Sequence, residues 1–151
     1  MKGRIRWAAV AFLIAVAVAV AAAVGSASAG GRVLHLRIQG GSSTFVNVAG
    51  KKTPAVGDEI ILHQPVWRDG HRVGTSIVTI VLTGGPTDQI HADLALPGGQ
   101  IDVAGLQLTN GNRFTLAITG GTGAYEGASG QVRVHTLQGN GNPTDVTVEL
   151  E

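Results

Sequence analysis

The sequence contains no cysteine. That absence excludes a disulfide framework, a thiolate zinc site, a cysteine nucleophile and the lipid-attachment cysteine of a lipoprotein leader. Aromatic residues are scarce, at 4% of 151 positions, with one tyrosine, Tyr125, and two tryptophans, Trp7 and Trp67. No basic stripe interleaved with aromatics is present, so a nucleic-acid partner is not expected. Charged residues make up 14% of the chain, and neither paired carboxylates nor a Ser-His-Asp arrangement stands out from their spacing. After Val24 no segment carries a sustained helical stripe.

What is present begins with an apolar run. Of 66 hydrophobic residues, 22 fall within the first 29 positions. Lys2, Arg4 and Arg6 form a positive start, Trp7 to Val24 is uninterrupted and apolar, and Gly25-Ser26-Ala27-Ser28-Ala29 supplies small residues. This is the order of a secretory signal peptide, with Ala27-x-Ala29 as the cleavage pattern. The expectation is a signal helix over 1–29, cleavage after Ala29, and one domain over 30–151, secreted or periplasmic. The alternatives are cleavage after Ala27, or retention as a membrane anchor, since such a run just spans a ~30 Å hydrocarbon core. Its richness in alanine and the lack of a basic stop argue for cleavage. Beyond Ala29 the charges are 8 basic against 10 acidic, a net of −2.

The remaining chain alternates with a period of two. Ile90, Ala92, Leu94 and Leu96 share one face, as do Phe114, Leu116 and Ile118, then Val132 and Val134, then Val146, Val148 and Leu150. Glycine clusters between these runs, 21 residues in the last 122, which is how short strands are punctuated. Eight strands are expected at 32–38, 58–66, 72–83, 89–96, 100–109, 113–120, 130–137 and 144–151. A two-residue turn at Asp69-Gly70 pairs Val66 with Val73. At Asn110-Gly111-Asn112 a three-residue loop sets Leu108 against Phe114 and Leu106 against Leu116, keeping apolar residues on one face. The last turn sets Val132 opposite Val148 and Val134 opposite Val146. An antiparallel meander with one apolar face buries that face by closing on itself, which also removes both edges. The expected fold is therefore an all-β, eight-stranded antiparallel barrel, with a sandwich as the runner-up. Strand 72–83 is apolar on both faces, which points to a homo-oligomer.

Three segments carry a resemblance. They are Val56-Gly57-Asp58-Glu59 followed by Trp67 to Thr75 (WRDGHRVGT), Leu96 to Leu106 (LPGGQIDVAGL), and Ala117 to Gly130 (AITGGTGAYEGASG). In this order they resemble the allene oxide cyclase and dirigent proteins, over nearly all of the chain beyond the leader. The resemblance implies a small eight-stranded antiparallel barrel, commonly trimeric. It also implies an apolar pocket for a small molecule: allene oxide cyclases fold a fatty epoxide into a cyclopentenone, and dirigent proteins steer phenolic coupling. The chain departs from the pattern at three positions, with Ser129 where many relatives carry arginine, Gly123 where some carry an acid, and Asn47 where an acid is frequent. An asparagine cannot act as a general acid at neutral pH.

The glycines of the third segment read as turn-formers, since neither a following helix nor a phosphate-binding lysine accompanies them. Tyr125 then folds back as a plug. His91-x-Asp93 has the spacing of a metal pair, but alternating polar residues are the normal outer face of an antiparallel sheet. Neither a metal nor a cofactor is expected. The apolar faces compete for a lumen about wide enough for side chains or one small ligand. A ligand is therefore expected at one barrel mouth, with Asn47, Trp67, Tyr125 and Glu126 as binding candidates and no catalytic residue assigned. The functional expectation is a secreted barrel that binds and orients a small apolar molecule, phenolic or oxylipin-like. The alternatives are an isomerase-like or stereo-guiding cyclase, and a non-catalytic structural barrel. A membrane enters only if the leader is retained.

Overall fold

The computed structural model describes residues 31–138 and 142–151. The leader and its cleavage pattern lie outside these residues. Nine strands follow in order: β1 (Arg32–Ile38), β2 (Ser42–Val46), β3 (Glu59–Arg68), β4 (His71–Val81), β5 (Thr87–Leu96), β6 (Gly99–Leu108), β7 (Arg113–Gly123), β8 (Gly130–Thr136) and β9 (Thr144–Leu150). Each pairs antiparallel with its neighbour from β3 to β9, and β1 closes the ring by pairing with both β9 and β3. Strand β2 continues along the edge of β3 where β1 leaves it. Strands β1 and β2 thus share one position in the wall, and the barrel has eight. No helix occurs among the described residues.

The expected elements recur, with one addition and two changes of register. The addition is β2, whose Ser42–Val46 lacks the clean alternation that marks the others. At the β3–β4 hairpin Asp69 and Gly70 both have positive φ, at 52° and 77°, as a two-residue turn requires. Arg68 then faces His71, but a bulge between Val66 and Trp67 sets Val66 against Gly74 rather than Val73. At β6–β7 the correction is larger. Val103 faces Ile118 and Ala104 faces Ala117, with a bulge between Asp102 and Val103. Leu106 and Leu108 therefore point outward and are each 59% exposed. The inward place expected for them falls to Gly105 and Gln107. At β8–β9, Val132 meets Val148 and Val134 meets Val146, as the alternation demands.

The inward side chains form two layers along the barrel axis. One end is solid: Leu34, Leu36, Val66, Ile101, Ile118, Val148 and Tyr125 are all buried there. The turn after β7 brings Tyr125 into this layer, with the Arg32 guanidinium 5.7 Å from its ring centroid. Glycine is required beneath it. A Cβ at Gly121 would run into the carbonyl oxygens of Tyr125 and Gln100, and Gly123 has φ of 61°, where a side chain is strained. The glycine-rich segment is thus what allows the plug to seat.

Candidate functional site

The other layer is hollow. A cavity of about 340 Å³ occupies it, at the small end of the ~300–1,000 Å³ usual for small-molecule sites. Nineteen residues line it, thirteen of them hydrocarbon, among them Val78, Leu94, Val103, Leu116, Val132 and Val146. Their strands place them one or two inward steps from the solid layer, toward the end where β4–β5, β6–β7 and β8–β9 connect.

The six polar lining residues fall into two groups. Gln107, Thr136, Asn142 and Thr144 stand at the outer rim. Gln107 Nε2 donates to the Gly111 carbonyl at 3.1 Å, and the Thr144 hydroxyl lies 3.5 Å from that of Thr136. Gln64 and Ser76 stand at the floor, directly opposite each other on β3 and β4. Ser76 is fully buried, and its Oγ finds no hydrogen-bond partner among the described residues. Leaving such a group unpaired costs about 1–3 kcal/mol, a cost natural cores seldom carry without cause.

Among the described residues, none of the lining side chains is ionisable. Asp88 comes nearest in register, opposite Gln107 and one inward step beyond Ile90. Its carboxylate accepts from the Thr83 amide at 3.4 Å. The described lining thus offers neutral hydrogen-bonding groups in place of a general acid or base at neutral pH. Its chemistry is limited to shape, apolar contact and neutral hydrogen bonds.

The four binding candidates from the sequence lie elsewhere. Asn47 is exposed in the loop after β2, where its Nδ2 donates to the Lys51 carbonyl at 2.7 Å. Trp67 sits at the β3 bulge, on the outer register beside Arg37 and Arg72. Its indole Nε1 is buried without a partner among the described residues. Tyr125 belongs to the solid layer, and the neighbouring Glu126 is exposed. Tyr125 and Glu126 are thus brought together at the plugged end, while Asn47 lies toward the opposite one. None of the four lines the cavity. His91 and Asp93 take the outer register of β5, between the inward Ile90, Ala92 and Leu94. No cluster of three potential metal ligands forms among the described residues.

Beside the open end, the loop between β2 and β3 is pinned from within. The buried Asp58 carboxylate accepts from the amides of Ala49 and Ala55, each at 2.8 Å. The Ala49 amide foremost, helped by those of Ala55 and Val48 and by the Lys51 charge, outweighs burial and holds this carboxyl below its ordinary range. Asp58 is a structural acid, not a reactive one.

Fold and cavity together define a class: a closed antiparallel barrel plugged at one end and hollow at the other. The chain belongs to the allene oxide cyclase barrel-like domain family, whose model matches residues 35–147. Among solved structures it is similar to a pyocyanin demethylase, with 24% identity and a TM-score of 0.69 over 80% of this chain and 100% of that one. A pterocarpan synthase dirigent protein matches at 20% identity and TM-score 0.58, covering 81% of this chain and 92% of its own. An exo-specific intermolecular Diels–Alderase matches at 19% identity and TM-score 0.63, covering 80% and 98%. At these identities the likeness is one of fold. No curated protein sequence matches the chain.

Proposed function

We propose that this barrel takes a small, neutral, largely apolar molecule into its hollow half and orients it there without moving a proton. The observation that carries this reading is the lining itself, thirteen hydrocarbon and six neutral polar side chains around about 340 Å³. Burying apolar ligand surface against such a wall contributes roughly 25 cal/mol per Å². An anionic ligand group would lose its water and meet no cation in return. The leader supports export of the domain, so the ligand is one met outside the cytoplasm. The outward Ile77, Leu106 and Leu108 support a homo-oligomer, and light scattering that finds only monomer would remove that part.

The direct experiment fills the cavity. Ala92 lines it from β5, and Ala92→Phe places a ring in the open space. A neutral aromatic probe titrated by fluorescence should lose affinity more than tenfold in this variant. Unchanged binding would place the ligand elsewhere and overturn the reading.

A second reading has its own support. Among the structural neighbours are a Diels–Alderase and a cyclase named for [4 + 2] cycloaddition, and a cycloaddition transfers no proton, so a neutral cavity suffices to guide one. A proton-moving isomerase would instead draw on Asp88. Asp88→Asn should leave binding and any turnover unchanged. A loss of turnover of about a hundredfold or more with binding intact, the size expected for a lost general acid or base, would install the proton-transfer reading.

A further inference from the structure

Within the cavity the polar groups are unequally provided for. At the rim, Gln107 and Thr144 have protein acceptors within 3.5 Å. At the floor, Ser76 has none, although its cross-strand neighbour is Gln64, an amide with both donors and an acceptor. Opposite side chains on an antiparallel pair have Cβ atoms about 5 Å apart, close enough for the hydroxyl and the amide to meet. They do not, and Ser76 Oγ stays unpaired; Ser76 borders the cavity with no exposed surface of its own, so its hydroxyl meets a bound group only by turning about the Cα–Cβ bond. Around it the wall is hydrocarbon: Leu94 is its partner on β5, and Val78 is the next inward residue on β4.

We infer that the bound molecule carries one neutral acceptor oxygen, a carbonyl, on the end that enters first, and that Ser76 turns toward the cavity to donate a hydrogen bond to it. A carbonyl oxygen has two lone pairs, so it can accept from the Ser76 hydroxyl and the Gln64 amide together. A carboxylate is disfavoured at the floor because the described lining there is hydrocarbon and neutral amide or hydroxyl, with no cation. A pure hydrocarbon offers the unpaired hydroxyl no acceptor and so leaves its cost in place. The ligand class is therefore a neutral ketone, ester or lactone on an otherwise apolar frame. This inference rests on the cavity reading above and adds the polarity and direction of binding. Ser76 acts as a specificity-determining residue.

The test compares two probes on the protein without its leader. One is 6-propionyl-2-dimethylaminonaphthalene, a neutral ketone whose emission reports hydrogen bonding at its carbonyl. The other is the 6-propyl analogue, which lacks only that oxygen. Expected is binding of both, with the ketone about fivefold tighter, the factor for one net hydrogen bond, and with red-shifted emission. Ser76→Ala should abolish the preference and the shift while leaving affinity for the propyl analogue unchanged, and Ser76→Thr should retain both. Thermal unfolding of ligand-free Ser76→Ala gives an independent reading. Its Tm should equal or exceed that of the parent, since no internal bond is lost. Equal binding of the two probes, a preference that survives in Ser76→Ala, or a clear drop in ligand-free Tm would each overturn the assignment of Ser76 and leave the cavity reading standing. Binding of neither probe would overturn both.

Discussion

The two halves of the barrel share the same eight wall positions and the same alternation, yet one is packed and the other is not. In the plugged half, Val66, Ile101 and Val148 have no exposed surface at all. In the hollow half the corresponding inward residues include Val78, Ile80, Phe114 and Val134, all only partly buried. The difference lies in what enters from the ends. The glycine-rich turn after β7 delivers Tyr125 into one end, whereas the connections at the other insert no comparable side chain among the described residues. A wall of this circumference leaves a lumen that side chains or one ligand can fill, and here side chains fill one half and line a cavity in the other. The proposed binding thus draws on incomplete packing at one end, and stability on complete packing at the other.

The comparison breaks most visibly under truncation. Ile101→Ala in the plugged half should cost about 2–5 kcal/mol, because atoms are removed from a site packed on every side. Ile80→Ala on the cavity wall should cost less, about 1–2 kcal/mol, because the lost methyls already faced empty space. Chemical denaturation measures both, and equal losses would mean that the two halves are packed alike.

Filling sharpens the same contrast in the opposite direction. Adding a large side chain to a packed core usually costs about 1–3 kcal/mol. Ala92→Phe should fall below that range, because the cavity accepts the ring. A large destabilisation in thermal unfolding would contradict the open space.

Acid weakens the pinning of the loop beside the open end. The folded-state carboxyl of Asp58 is held below its ordinary range, whereas in the unfolded chain it titrates near ~3.9. Its contribution to stability is therefore fully present above that value and is lost as pH falls through the folded pKa. Asp58→Asn should lower Tm at pH 7, and its gap from the parent should narrow below pH 4, a window set by the unfolded value of ~3.9. A gap that is constant with pH would mean the carboxylate charge is not what pins the loop.

The smallest effects are expected at residues outside the cavity. Asn47→Ala should leave probe affinity unchanged, because the Asn47 amide is engaged with Lys51. Trp67 emission should be insensitive to the ligand, since the indole lies on the outer register. Quenching of Trp67 on binding would move the site to the plugged end.

Much of the fold is legible in the sequence because alternation is strong where one face is buried. The inward positions of β5, β7, β8 and β9 follow from their apolar spacing alone. The loop between β6 and β7 misleads because Leu106 and Leu108 look like core residues. Matching apolar to apolar favours the three-residue loop, while the bulge between Asp102 and Val103 shifts the register by one and turns both leucines outward. That slip also hides Gln107, which takes the inward place at the rim. Ser76 was accessible to the same reasoning, as it shares the register of Val78 and Ile80, but a serine in an apolar row reads as neutral until its lack of a partner is seen. Asn47, Trp67 and Tyr125 draw notice as polar or aromatic residues near turns, and sequence position alone does not say which end of a barrel each turn occupies.

The central claim is that one half of this barrel is open to a ligand and the other is closed. Methyl NMR of the isoleucine, leucine and valine side chains reads both halves at once. On titration with 6-propionyl-2-dimethylaminonaphthalene, shifts should concentrate on Val78, Ile80, Leu94, Leu116, Val132 and Val146 and spare Leu34, Leu36, Val66 and Val148. Shifts centred on that second group, or no shifts at a saturating probe concentration, would contradict it.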